Sequence, residues 1–99
     1  MLQVNPADLL AFAPTLEGAE LRTLHRNRTF RVEVEGSNLV FVNSKGNRRP
    51  HGGKYLRAVC DTFSKTNSYF PSDYRDLTVN ASYILAIIRR YADSHAVTA

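Results

Sequence analysis

A chain of 99 residues has room for one domain, and a composition that is 43% hydrophobic and 22% charged excludes both a disordered tract and a disulfide-built scaffold. Cys60 is the only cysteine, so no internal disulfide can form, which fits a reducing, intracellular setting. The net charge of +4 is unevenly spread: residues 1–21 carry three acids and no base, residues 58–99 balance, and the whole excess falls in residues 22–57.

In chain order, Met1 to Asn5 lacks the basic and apolar regions of a secretory leader, and no apolar run approaches the roughly 18 to 20 residues of a membrane span. The expected location is cytoplasmic. Asn5-Pro6-Ala7-Asp8 then predicts a helix start: Asn5 caps, Pro6 suits the first helical position, and Asp8 complements the positive end of the dipole. Leu9, Leu10 and Phe12 supply an apolar side, and Pro14 ends the helix.

After a turn at Glu17-Gly18, Leu21 and Leu24 lead toward a hairpin. Phe30, Val32 and Val34 alternate with Arg31, Glu33 and Glu35, the period of a half-buried strand. A turn at Gly36-Ser37 pairs Val34 with Leu39 and Val32 with Phe41, which keeps apolar groups on one face. Val40 and Val42 point to the other face as an apolar strip that invites a cover or a partner. A second turn, Ser44-Lys45-Gly46-Asn47, leads to Arg48-Arg49-Pro50-His51, a short third strand that Pro50 confines to an edge.

Gly52-Gly53 breaks the chain before an amphipathic helix over residues 54–66, with Leu56, Val59, Cys60 and Phe63 on one face and Asn67 as its C-terminal cap. Residues 68–77 read as a loop. A last helix over residues 79–93 is apolar nearly all round, so it belongs at the centre of the molecule or in an interface between copies, and a homodimer is expected. The expected fold is therefore a single α+β domain over residues 1–99. It has a short N-terminal helix, a two- or three-stranded antiparallel sheet and two C-terminal helices packed on one face.

No catalytic constellation is legible, and the chain is expected to be non-enzymatic, with no cofactor and no metal. His25, His51 and His95 share no metal-ligand spacing with each other or with Cys60, which sits on the apolar face of its helix as an inert thiol. His25-Arg26-Asn27-Arg28 invites comparison with nucleases, but no metal-binding acids accompany it. Gly52-Gly53-Lys54 lacks the spacing of a phosphate loop, and Asp73 and Asp76 read as turn formers. An unfamiliar enzyme site would need His51, Asp73, Tyr74 and Tyr83 to gather in one pocket.

The basic stretch carries the functional reading. Arg26, Arg28, Arg31, Lys45, Arg48, Arg49, Lys54 and Arg57 are expected to line one surface for nucleic acid. Arginine predominates, and its planar fork suits phosphate and guanine. The aromatic residues look distant from this stretch, so duplex DNA or structured RNA is expected rather than a stacked single strand. The alternative is an inhibitor or accessory module that docks an acidic protein surface, with Val40 and Val42 as its marker.

Leu21-Arg22-Thr23-Leu24, Phe30-Arg31-Val32-Glu33-Val34, Ser72-Asp73-Tyr74 and Asn80-Ala81-Ser82-Tyr83 together resemble small bacterial proteins carried on mobile elements, of the integron gene-cassette kind. The resemblance spans residues 21–91. It implies a bacterial origin and an accessory role, and it carries over no activity and no functional residue.

Overall fold

The first helix, α1 (Pro6–Phe12), begins where the cap chemistry places it. Asp8 N–H donates to Asn5 Oδ1 at 2.9 Å, and Asn5 N–H donates to Asp8 Oδ2 at 3.1 Å. Pro14 does not end the run outright: the chain tightens into a 3-10 turn over Ala13–Leu16, whose first positions tolerate a residue without an N–H. The computed structural model describes residues 3–78 and 80–96, the last two by their backbone alone.

Four strands follow, one more than the alternation reveals: β1 (Leu21–Arg22), β2 (Thr29–Glu35), β3 (Asn38–Asn43) and β4 (Arg48–His51). They form an antiparallel meander in the order β1-β2-β3-β4. The expectation of two or three strands is corrected by β1, which is only two residues long and so shows no period of its own. It pairs Leu21 with Phe30 and Arg22 with Thr29. Beyond β1 the outer edge of β2 lacks a strand partner, and Glu17 Oε1 accepts the Val34 N–H there at 3.3 Å.

The central register is the expected one, with Val32 opposite Phe41 and Val34 opposite Leu39. Gly36, at φ +60°, opens the two-residue hairpin turn at a position where an L side chain would be strained. Pro50 lies in β4, at the edge of the sheet, where its missing N–H leaves no ladder bond unmade.

Leu21, Phe30, Val32, Leu39 and Phe41 form the inner face of the sheet and pack with the helices into one core. α2 (Gly53–Thr66) contributes Leu56, Val59, Cys60 and Phe63, and Asn67 closes it at φ +50° with its N–H on the Phe63 carbonyl. A second 3-10 turn (Pro71–Tyr74) lies in the expected loop and buries Tyr74, whose hydroxyl donates to the Ser68 carbonyl at 2.7 Å. α3 (Ala81–Ala96) follows; Val79, where the helix was expected to begin, lies outside the described residues.

Ile84, Leu85, Ala86, Ile87 and Ile88 of α3 are all buried within one chain. The helix packs against α1, α2 and the second 3-10 turn, and Tyr83 lies against Phe30 and Phe41 of the sheet. The apolar circumference that motivated a dimer is thus covered internally. No helix among the described residues is long and apolar enough to cross a membrane.

The outer face of the sheet holds an unexpected cover. Arg48 on β4 ion-pairs with Glu33 at 3.0 Å and Glu35 at 2.7 Å on β2. Because β3 lies between them, the Arg48 side chain has to cross it, and Val40 of β3 is the residue opposite Glu33. Val40 is 2% exposed and stands outside the main core cluster. The strip expected to be open at Val40 and Val42 is thus closed at Val40 within the chain itself, while Val42 is half-buried.

Phe41 is the hub of the inner face, edge-on to Phe30 (5.9 Å) and His51 (5.1 Å) and stacked on Tyr83 (5.5 Å). Replacing it with alanine should cost about 3–5 kcal/mol, a large share of the stability of a small domain, and urea denaturation would measure it. His51 gives a second expectation. It is 3% exposed, and burial, reinforced by the charge of Arg49, pushes its pKa below the usual 6.5 against a bond to the Arg49 carbonyl. As pH falls through about 6.5, the unfolded chain takes up a proton that the folded imidazole refuses. The stability present above that pH is lost toward the lower folded value. The unfolding midpoint should drop between about pH 7.5 and pH 5.5, and the drop should shrink in His51→Gln.

Candidate nucleic-acid interface

Three loops converge at one end of the sheet, and each is pinned by its own polar groups. In the turn between β1 and β2, Thr23 N–H donates to the Arg28 carbonyl at 2.9 Å, and Arg28 N–H donates to Thr23 Oγ1 at 3.0 Å. Asn27 closes this turn in the left-handed region at φ +56°, a conformation that asparagine tolerates better than most residues. In the turn between β3 and β4, Asn43 Oδ1 accepts the N–H groups of Lys45 (2.9 Å) and Asn47 (3.0 Å), and Gly46 takes φ +84°. The third loop precedes α3. Ser68 Oγ donates to Asp73 Oδ2, and Asn80 N–H donates to Thr78 Oγ1 at 3.1 Å.

Between these loops lies a cleft of two adjoining parts. One part, of about 530 Å³, is lined by His25, Arg26, Arg28, Arg49, Arg75 and Tyr83 together with Thr23, Pro71, Ser72, Asn80 and Ser82. The other, of about 560 Å³, shares Arg28, Arg49 and Tyr83 and adds Lys45 with Asn27, Asn43, Ser44 and Asn47. Five cations therefore line its two parts: Arg26, Arg28, Lys45, Arg49 and Arg75. Neither lining includes an aspartate or a glutamate. None of the five makes an ion pair with a described carboxylate; Arg49 Nη1 reaches only Asn80 Oδ1, at 3.4 Å. A concavity lined by charges of one sign concentrates positive potential.

The eight basic residues expected to line one surface divide. Arg26, Arg28, Lys45 and Arg49 meet in the cleft. Arg31 does not: it is opposite Val42 on the outer face and lines, with Glu20, a neighbouring depression that shares Thr29, Asn43 and Ser44 with the cleft. Arg48 is also excluded, since strand alternation turns it away from Arg49, and its guanidinium is held by Glu33 and Glu35, which raise its pKa, the Glu33 bond foremost. Lys54 and Arg57 are exposed on α2 and line neither part of the cleft. Conversely, the charge profile passes over Arg75, because Asp73 and Asp76 flank it in sequence. Asp73 is engaged by Ser68, and neither acid lines the cleft.

The other groups with chemical potential are dispersed. Tyr74 is fully buried, His51 packs beneath Phe41, Asp73 faces solvent and Tyr83 floors the cleft, so the four residues an unfamiliar enzyme site would need do not share a pocket. Among the described residues no three His, Cys, Asp or Glu side chains are placed to hold a metal. The His95 side chain lies outside the described residues. Cys60 is buried, and burial, with the nearby charges of Asp61 and Asp8, pushes its thiol up to about 12. It should stay unmodified by an aromatic disulfide reagent at neutral pH in the folded protein and react fully once urea unfolds the chain.

No family model, curated protein or solved structure matches this chain. The functional reading therefore stands on the geometry of the cleft.

Proposed function

We propose that this protein is a non-enzymatic nucleic-acid-binding module and that the cleft is its phosphate-binding surface. One observation carries the reading: Arg26, Arg28, Lys45, Arg49 and Arg75 line two adjoining concavities whose linings hold no carboxylate. Most protein–nucleic-acid hydrogen bonds go to the sugar–phosphate backbone, and arginine forks bind phosphate in two-pronged fashion. The neutral lining suits the same task, because Ser44, Ser72, Asn80 and Ser82 offer hydrogen-bond donors without opposing charge. The loops are already held by internal hydrogen bonds, so little ordering cost attends binding. The competing reading, docking on an acidic protein, took its marker from an open strip at Val40 and Val42. With Val40 buried, that marker is reduced to the half-buried Val42.

The adjacent arginines of β4 provide a matched pair of test positions. Arg49→Ala should weaken binding of fluorescein-labelled oligonucleotides about tenfold at about 50 mM salt, and should lower the slope of log affinity against log salt by about one. Arg48→Gln, on the outer face, should leave both within about twofold. Equal effects of the two substitutions in fluorescence anisotropy would place the interface elsewhere. A partner retained in pull-downs after nuclease treatment, with no oligonucleotide binding at low salt, would favour the acidic-protein reading.

A further inference from the structure

We propose that the occupant of the cleft is a single strand, with phosphates on Arg26, Arg28, Arg49 and Arg75 and an unpaired base stacked on Phe70; this rests on the nucleic-acid reading above. Phe70 is 61% exposed, the most exposed of the large apolar side chains among the described residues. Its neighbour Tyr69 is used by the fold, packed against Phe63 at 5.1 Å and covered by the Arg89 guanidinium. Phe70 has no such role and lies outside the core cluster.

Phe70 is nevertheless held in place. Its ring stacks on His25 with centroids 5.0 Å apart and planes 16° from parallel. His25 Nε2 in turn lies 2.9 Å from the Tyr69 carbonyl oxygen, and the Phe70 N–H donates to Ser68 Oγ. A positioned ring with open surface is the geometry of a stacking platform, and every base presents a π-face to it. The platform also sits beside the cations. His25 lines the cleft next to Arg26, and Pro71 and Ser72, which follow Phe70, line it as well. The other two exposed apolar side chains border the same region. Leu24, 39% exposed, precedes His25, and Tyr55, 47% exposed, lines a shallow depression that shares Arg75 and Asn80 with the cleft and holds Asp76 as well.

The shape argues the same way. Duplex readers insert a helix or a ribbon into a groove, whereas the five cations here line a recess. Exposed cations along a concavity beside an aromatic ring form the pattern of single-strand binders, in which a charged groove follows the backbone and rings take the bases. The expectation of a duplex or structured partner rested on aromatic residues that looked remote from the basic stretch. Folding brings Phe70 within stacking distance of His25, 45 positions before it in the chain.

The test uses fluorescein-labelled oligothymidylate and oligoadenylate of about 12 nucleotides and a duplex of the same length, at about 50 mM salt. The expected result is tighter binding of the single strands than of the duplex. Phe70→Ala should weaken single-strand binding about 5- to 100-fold and duplex binding less than about twofold. Phe70 is exposed and outside the core, so thermal unfolding of this variant should match that of the parent. Phe70→Trp should retain affinity and, because the chain has no other tryptophan, report stacking directly as quenched emission when oligothymidylate is added. If Phe70→Ala alters neither ligand while Arg49→Ala weakens both, the platform is refuted and the cationic cleft stands. Tighter binding of the duplex, or an unquenched tryptophan on a bound strand, would also refute it. If no oligonucleotide binds at low salt, both readings fall together.

Discussion

The pairing register of β2 with β3 decides where every charge on the sheet goes. Val32 faces Phe41, so Phe30, Val32, Leu39 and Phe41 share the inner face. Strand side chains alternate with period two, so a slip of one residue would exchange the faces. Its consequence reaches β4, where Phe41 pairs with Arg49 and Val42 pairs with Arg48. Neighbours in sequence thereby acquire opposite destinations. Arg49 turns inward to the end of the sheet, where the cleft opens, and Arg48 turns outward across β3 to two glutamates.

The cleft is a by-product of how α3 meets the sheet. Tyr83, in the first turns of α3, stacks on Phe41 and meets Phe30 edge-on at 5.0 Å, which ties the start of the helix to the sheet. The loop before α3 must then arrive beside the β1–β2 and β3–β4 turns, and it brings Arg75 and Asn80 with it. Tyr83 has one ring against the core and part of its surface in the cleft floor. Stability and site geometry are coupled at that residue.

The hairpin, the second and third helices and the left-handed cap at Asn67 were legible in the sequence, because each rests on a local signal: alternation, a 3.6-residue period, or a turn residue. β1 was not, since two residues have no period, and its partner Phe30 lies across a turn held by Thr23 and Asn27. The site was legible in half. A charge profile along the chain finds Arg26, Arg28, Lys45 and Arg49, but it also collects Arg31, Arg48, Lys54 and Arg57, because it sees position in sequence and not strand alternation or helix face. It misses Arg75, which two nearby aspartates cancel on paper but do not neutralise in the cleft. The stack of His25 on Phe70 is a tertiary contact between loops and has no local signature at all.

Arg48 and the cleft arginines show two treatments of the same residue type. Arg48 has two carboxylates within 3.0 Å, reached across β3 on the outer face of the sheet. The chain thus places acids where an arginine serves the fold. In the cleft it places none, although Glu33, Glu35, Asp73 and Asp76 all lie on strands or loops close by in sequence. Mutual repulsion among unpaired cations opposes the compact state. The loops that carry them are held instead by neutral bonds: the Thr23 hydroxyl, the Asn43 amide oxygen and the Asn80–Thr78 contact. That division leaves the cleft guanidinium groups without an ion pair to a described carboxylate while fixing the backbone beneath them. An arrangement that withholds counter-ions from five cations and leaves a braced aromatic ring at their margin is what the proposed occupant would call for, an anion with a flat, apolar part. A nucleotide strand supplies both in each repeating unit.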